Sequence, residues 1–229
     1  MSIFSRYDGG TGLEPLASGR DADVFVIDSR RVFRHYRRRT DVAAEVTIMA
    51  YVAQFGFPVP AVYEAEGADM VLERLNGPTL LEAIKTGYSA RDAASVLASL
   101  HGRLHELPPR QATHPGTRIL HLDLQPGNVI LTPREPVLID WGDATEGPPD
   151  LDLALSAVII AHVAVDSAHD MTAYAGIMLT EFLRRAGGSP VSMLDAAVAL
   201  RGSDSTLTEE EAKLLPAAAT LIRSTAKIF

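Results

Sequence analysis

The sequence predicts an α+β chain in two parts: a small antiparallel sheet with one helix, then a mainly helical region. Three observations lead there. Short alternating apolar runs, "VFVID", "RVFRHY", "PAVYEAEG" and "DMVLERL", cluster before residue 76. Longer segments with apolar residues at helical spacing dominate the rest. Asn76-Gly77-Pro78 breaks the pattern between them. The boundary is therefore drawn there, giving parts 1–75 and 76–229.

Each element follows from its residues. Val24–Asp28 and Arg31–Tyr36 alternate as a hairpin about Ser29-Arg30. Asp41–Gln54 carries Val42, Glu45, Val46, Met49 and Val52 at helical spacing, and Gly56 and Pro58 stop it. Residues 60–67 and 69–75 are two strands around Gly67-Ala68-Asp69. Ser89 caps a helix whose Ala93, Leu97, Leu100, Leu104 and Leu107 form one apolar stripe. Val129–Leu131 and Val137–Ile139 read as strands joined by a Thr-Pro-Arg-Glu-Pro turn. Further helices are predicted after Asp150, over Thr172–Arg185, from Ser189-Pro190, and from the capping-box pattern Thr208–Glu211. Pro216 is expected to kink or restart the last one.

Composition narrows the function. At 229 residues and 47% hydrophobic content the chain can bury a substantial core. A net charge of −8 argues against a general nucleic-acid binder, and the basic run Arg30–Arg39 reads as a solvated strand edge. Cysteine is absent, which excludes disulfides and thiolate metal sites and fits a reducing, cytoplasmic setting. "MSIFSRYDGG" lacks the apolar core of a signal peptide, and "LALSAVIIAHVAV" is too short to span a bilayer comfortably. No membrane partner is expected.

The chemistry concentrates in "HLDLQPGNVILTPREPVLIDWGD", His121 to Asp143. The predicted hairpin would bring Asp123, Asn128 and Asp140 towards one another. Three oxygen-bearing side chains on a rigid frame suit magnesium and phosphate. The alternative reading is a chance set of turn-forming residues between strands.

These strings, His121-Leu-Asp123-Leu-Gln-Pro-Gly-Asn128 and then Ile139-Asp140-Trp141-Gly142, resemble the signature of the aminoglycoside phosphotransferase family, which has a protein-kinase-like fold. The resemblance extends to the N-terminal strands, the helix with Glu45, and Asp152-Leu153-Ala154. It implies a two-lobed fold, with a nucleotide-binding first lobe and a second lobe carrying the catalytic loop and acceptor site. It implies transfer of a γ-phosphoryl group from ATP or GTP to a hydroxyl of a small molecule, with Mg2+. Asp123 is then the base, Asn128 and Asp140 the magnesium ligands, and His121 a brace for the loop. Gly127 gives the loop freedom to turn, and Asp152 caps a helix and fixes the loop from beneath.

On the nucleotide side, the strand position usually filled by Lys carries Arg34, with Glu45 as its helix partner. An Arg fork can bridge phosphates. Ser18, Gly19 and Arg20 stand where a glycine-rich phosphate lid belongs, although only one glycine is present and an ordinary turn explains the string nearly as well. Backbone groups near Glu73, Arg74 and Leu75 are assigned to adenine by the resemblance. The acceptor is unspecified, since relatives act on aminoglycosides, macrolides, choline, homoserine and other small alcohols, and the oligomeric state is open.

Some residues are set aside. His101 and His105, four apart beside Glu106, are read as packing or surface histidines in preference to a zinc pair, and His162 as a satisfied core residue. Trp141 is read as packing that aims Asp140. Asp143, Glu146, Asp150, Asp166 and Asp170 are read as solvated charges. Arg34 and the sparse lid also fit a non-catalytic nucleotide-binding or scaffold protein. A protein kinase fits less well, because no Ala-Pro-Glu element follows Gly142.

Overall fold

Five antiparallel strands come first, in the spatial order β1-β2-β3-β5-β4. They are β1 Glu14–Ser18, β2 Ala22–Val26, β3 Arg31–Tyr36, β4 Val62–Glu66 and β5 Asp69–Glu73, with helix α1, Ala43–Gln54, between β3 and β4. The structure, a computed structural model, describes residues 13–19, 21–39, 41–204 and 207–229. Alternation in β3 sends Phe33 into a core with Val71, closed by Leu13, Phe25 and Ile27. The register pairs Arg34 with Val24 on one side and Met70 on the other, which fixes Arg34 at the middle of the sheet. Strand β1 is an addition to the sequence expectation; its residues are exposed, so no buried alternation announced it.

The chain divides into two compact units. The first runs to Gly77 and also takes in Ile130–Gly142; the second comprises Pro78–Val129 and Asp143–Phe229. The late insertion into the first unit holds the hairpin of β7 Val129–Leu131, from Ile130 on, and β8 Pro136–Leu138. Leu138 N–H donates to the Pro58 carbonyl at 3.0 Å. Gly77 shows how closely this segment lies to the boundary residues. It has φ +147, and a Cβ there would stand 2.1 Å from the Leu131 carbonyl oxygen, so only glycine fits.

The second unit is helical around one small strand pair. Its helices are α2 Leu80–Lys85, α3 Ala90–Glu106, α4 Pro149–Val165, α5 Thr172–Arg185, α6 Leu194–Gly202 and α7 Glu209–Ala226; the strands are β6 Arg118–Leu120 and β9 Thr145–Gly147. Helix α4 is buried on nearly every face from Asp152 to His162 and packs against α5, α6 and α7. Ser89 caps α3 by accepting from Asp92 N–H, and Thr208 and Glu211 form a reciprocal capping box on α7.

Several expectations change. Helix α2 was not foreseen, although Thr79 and Glu82 make a capping box before it. The pair β6–β9 was missed because three-residue strands carry no readable period. Ser189 makes no side-chain cap; Pro190–Met193 forms a 3-10 turn, and α6 starts only at Leu194. Helix α7 runs through Pro216 as one element, with Thr220 Oγ1 donating to the Pro216 carbonyl at 2.9 Å. Of the described helices, none is long and apolar enough to cross a membrane.

Candidate active site

The candidate residues fall into two groups, one in each unit. In the second unit the strand β6 leads into His121-Leu122-Asp123, and a 3-10 turn, Pro126–Asn128, brings Asn128 back onto Asp123. The Asn128 side-chain amide donates to the Asp123 carboxylate (Oδ2, 2.7 Å) and to its carbonyl (2.9 Å). Gln125 Nε2 donates to the other carboxylate oxygen at 2.9 Å. Asp123 is thus oriented through both oxygens. The Asn128 nitrogen is committed to Asp123, so its carbonyl oxygen is the end suited to a cation. Gly127 is not in the left-handed region, and a Cβ there would meet only Gln125 Oε1 at 4.0 Å. Its expected role as the loop's flexible point is therefore not seen; Pro126 at the start of the 3-10 turn shapes the bend.

Beneath this loop lies a buried carboxylate. Asp152 is fully buried in α4. Its Oδ1 accepts from Leu122 N–H (2.7 Å), and its Oδ2 from His121 N–H (3.1 Å). His105 Nε2 lies 2.9 Å from the same Oδ2. One helical turn on, Ser156 Oγ donates to the Leu124 carbonyl at 2.7 Å. Asp152 therefore fixes the loop as expected but caps nothing, because the N-cap position is Pro148. This anchoring holds Leu122 at φ 64, a left-handed conformation that costs a branched residue on the order of 1–3 kcal/mol. His121, itself buried, accepts from Asp123 N–H through Nδ1 at 3.2 Å, which places its ring proton on Nε2.

The two set-aside histidines belong to this anchor, a correction to their reading as packing or surface groups. His101 Nε2 lies 2.9 Å from Ser156 Oγ. The Ser156 proton is used on Leu124, so Nε2–H is the donor in that pair. His101 Nδ1 is 3.4 Å from Asp152 Oδ2 without hydrogen-bond geometry. Burial pulls the His101 pKa below its ordinary value, partly offset by Asp152. Burial pushes Asp152 upward, but His101, His105 and the backbone donors outweigh it and keep its carboxyl well below the usual range. One ligand atom from each of the three side chains lies within 4.8 Å of the others, and a metal there would displace the His105–Asp152 contact. A sequence signal for the cluster did exist: polar residues four apart on two otherwise apolar helix faces, His101/His105 and Asp152/Ser156.

In the first unit, Asp140 follows β8 and is the other described non-glycine residue at positive φ, 67. Arg34 Nη2 donates to its Oδ1 at 2.5 Å, and Arg34 Nη1 lies 3.4 Å from Glu45 Oε1. Glu45, from α1, also accepts from the Tyr36 hydroxyl at 2.8 Å. Burial raises the Glu45 pKa against the charge of Arg34. For Arg34 itself, burial is outweighed by Asp140 and Glu45, and the guanidinium stays charged. Trp141 is buried edge-on to Phe57, with Nε1 donating to the Leu138 carbonyl.

The remaining nucleotide-side residues are largely engaged in the sheet. Gly19 N–H donates to the Ala22 carbonyl and Ser18 Oγ to Asp23, so both serve the β1–β2 turn; Arg20 lies outside the described residues. Glu73 N–H donates to Ala61 and Arg74 N–H to Arg30, so these two backbone donors are engaged within the first unit. Among the acidic residues set aside, Asp150 accepts from Ser189 N–H and Asp166 from Ala168 N–H, and the Glu146 carboxylate accepts from the N–H groups of Arg110, Gln111 and Ala112, which hold its pKa down against partial burial.

Comparison with solved structures finds this fold among aminoglycoside phosphotransferases. The streptomycin–ATP complex of APH(2")-IIa is 16% identical with a TM-score of 0.56, over 99% of this chain and 96% of that one. APH(3'')-Id from Streptomyces rimosus is 21% identical with a TM-score of 0.56, over 95% of both chains. The GDP and kanamycin complex of APH(2")-IIIa is 15% identical with a TM-score of 0.55, over 95% and 97%. No curated protein sequence matches the chain. The profile of the phosphotransferase enzyme family, APH, matches residues 12–118 and 102–186, well over half of the sequence. With its antiparallel sheet, its helical second unit and its Asp123–Asn128 loop, the chain belongs to the phosphotransferase enzyme family and has its protein-kinase-like fold.

Proposed function

We propose that the protein is a small-molecule kinase that moves the γ-phosphoryl group of ATP or GTP to a hydroxyl of its acceptor. The observation that carries this reading is the orientation of Asp123, whose two carboxylate oxygens are fixed by Gln125 and Asn128 on a loop anchored to a buried charge. Phosphoryl transfer needs positioning and charge neutralisation more than covalent chemistry, and a preset carboxylate supplies the first. Asp123 accepts the proton of the acceptor hydroxyl as its oxygen bonds to phosphorus. Asn128, through its carbonyl oxygen, and Asp140 offer the hard oxygen ligands that suit magnesium. Magnesium, when bound, neutralises charge on the phosphate oxygens. Arg34, braced by Glu45, contacts the phosphates, and the strand end at Glu73–Leu75 receives the base. The absence of cysteine suits a cytoplasmic setting.

The related structures carry ATP in one case and GDP in another, and aminoglycosides as second ligands. An alcohol-bearing small molecule is therefore the acceptor class, and a net charge of −8 is compatible with a cationic one. A panel of aminoglycosides and other hydroxylated metabolites is tested for acceptor-stimulated release of ADP or GDP, with the product weighed by mass spectrometry. One acceptor class should raise release and gain a phosphate, and Asp123→Ala should abolish both. The pairing of Arg34 with Asp140 favours a second reading, a non-catalytic scaffold. That reading gains if neither ATP nor GTP with Mg2+ shifts the melting temperature.

A further inference from the structure

The basic run Arg30–Arg39, read from sequence as a solvated edge, contains a residue that the proposed reaction leaves without a role. Arg39 lies just after β3, and its Nη1 donates to the Gly142 carbonyl oxygen. Its guanidinium lies directly beside Gly142: a Cβ added there would stand 2.7 Å from Nη2 and 2.8 Å from Cζ. The Arg39 Cζ is 5.3 Å from the centre of the Tyr36 ring, and the Arg34 Cζ is 4.4 Å from the same ring. Arg34 in turn holds the Asp140 carboxylate. Two cations stacked on one aromatic ring thus grip both ends of Asp140-Trp141-Gly142. The segment needs such a grip, because Asp140 sits at positive φ, where a non-glycine residue persists only if its surroundings over-determine it.

We propose that Arg39 is a positioning residue: through Gly142 and the shared Tyr36 ring it fixes the conformation in which Asp140 presents its carboxylate to nucleotide-bound magnesium. This rests on the proposed function for its consequence, though not for its geometry. Glycine at 142 is then explained by the guanidinium lying on it, since its own φ is not in the left-handed region.

The chain has a single tryptophan, Trp141, at the centre of the gripped segment, so its fluorescence reports on the clamp without any ligand. Arg39→Gln and Arg39→Lys are compared with the wild type in acrylamide quenching of Trp141, and in ATP affinity with and without Mg2+. Arg39→Gln should raise the quenching constant at least twofold. It should shrink the Mg2+-dependent gain in ATP affinity about tenfold, while metal-free ATP affinity changes less than twofold and the circular dichroism is unchanged; Lys should restore part of both effects. Should Arg39→Gln fail to fold, Gly142→Ala, which displaces the guanidinium and keeps its charge, must give the same signature. Unchanged quenching in a folded variant overturns the clamp, and so does an equal loss of affinity with and without Mg2+. A wild type that binds no nucleotide at all defeats the proposed function instead, and the quenching result then decides the clamp alone.

Discussion

Two of the buried carboxylates, Glu45 in the first unit and Asp152 in the second, are held in opposite ways. Glu45 is 4% exposed and Asp152 0%. Burial lifts the pKa of Glu45, whereas that of Asp152 is depressed in spite of burial. The difference lies in the donors. Asp152 receives two backbone N–H groups and lies within hydrogen-bond reach of His105, while Glu45 has one tyrosine hydroxyl and a long 3.4 Å approach from an arginine directed mainly at Asp140. A carboxylate with enough donors stays charged without water; one with fewer is pushed towards its neutral form. The Asp123–Asn128 loop is therefore anchored by a charge that the second unit satisfies from its own groups. In the first unit the ion pairs of Glu45 and Asp140 both run through Arg34, a cation shared between two carboxylates.

The largest expected effect lies on the loop itself. Asp123→Asn removes the proposed base and keeps the side chain's size, so transfer should fall by about 10²–10⁴-fold while the melting temperature stays within a few degrees; stopped acceptor-stimulated ADP release reads the first and calorimetry the second. Near wild-type turnover would remove Asp123 from the mechanism. Asp152→Asn should destabilise the protein by about 3–5 kcal/mol in urea unfolding at pH 7, because two backbone N–H donors lose a buried charge. Next comes Gly77→Ala, which forces a side chain against the Leu131 carbonyl at an unfavourable φ and should cost on the order of 1–3 kcal/mol.

The smallest effect sharpens the contrast most. Glu45→Gln should cost no more than about 1 kcal/mol at pH 7, since the amide oxygen still accepts from Tyr36 and burial already opposes the charge. The pH dependence of the two carboxylate variants should have opposite sign. The folded pKa of Asp152 lies below its unfolded value near 3.8, so its stabilisation is present above that pH and lost as pH falls below it. The folded pKa of Glu45 lies above its ordinary 4.5, so its contribution is fullest below that pH and lost as pH rises through the folded value. The stability gap to Asp152→Asn should narrow on acidification, and the gap to Glu45→Gln should widen. Urea midpoints from pH 7 down to about pH 3.5 test both; parallel curves would mean that the two carboxylates are held alike.

How legible these features were depends on how far apart in the chain their partners lie. Asp123 and Asn128 are five residues apart in one loop, and their pairing could be anticipated from a short string. The β2–β3 and β4–β5 hairpins, and the Ser89 and Thr208 caps, were equally local. Asp152 was suspected of fixing the loop, but its partners were not, because His105 stands 47 residues away and reads by itself as an ordinary helix-face histidine. Arg39 grips Gly142 across 103 residues, inside a run whose charges suggested only a wet edge. Helix α2 and the β6–β9 pair escaped notice because short elements carry too few residues to show a period.

The amino-acid order by itself determined the alternating strands, the amphipathic and capped helices, and the two strings that carry oxygen donors and imply phosphoryl transfer. Only the tertiary structure decided which carboxylate is kept charged, which arginine holds the Asp140 segment, why Gly77 must lack a side chain, and what lies over Gly142. The physical reason is range. Periodicity, capping and turn chemistry act over a few residues and leave a mark in the string. The charge state of a buried group and the space beside a glycine depend on atoms brought near by folding, which no local pattern records.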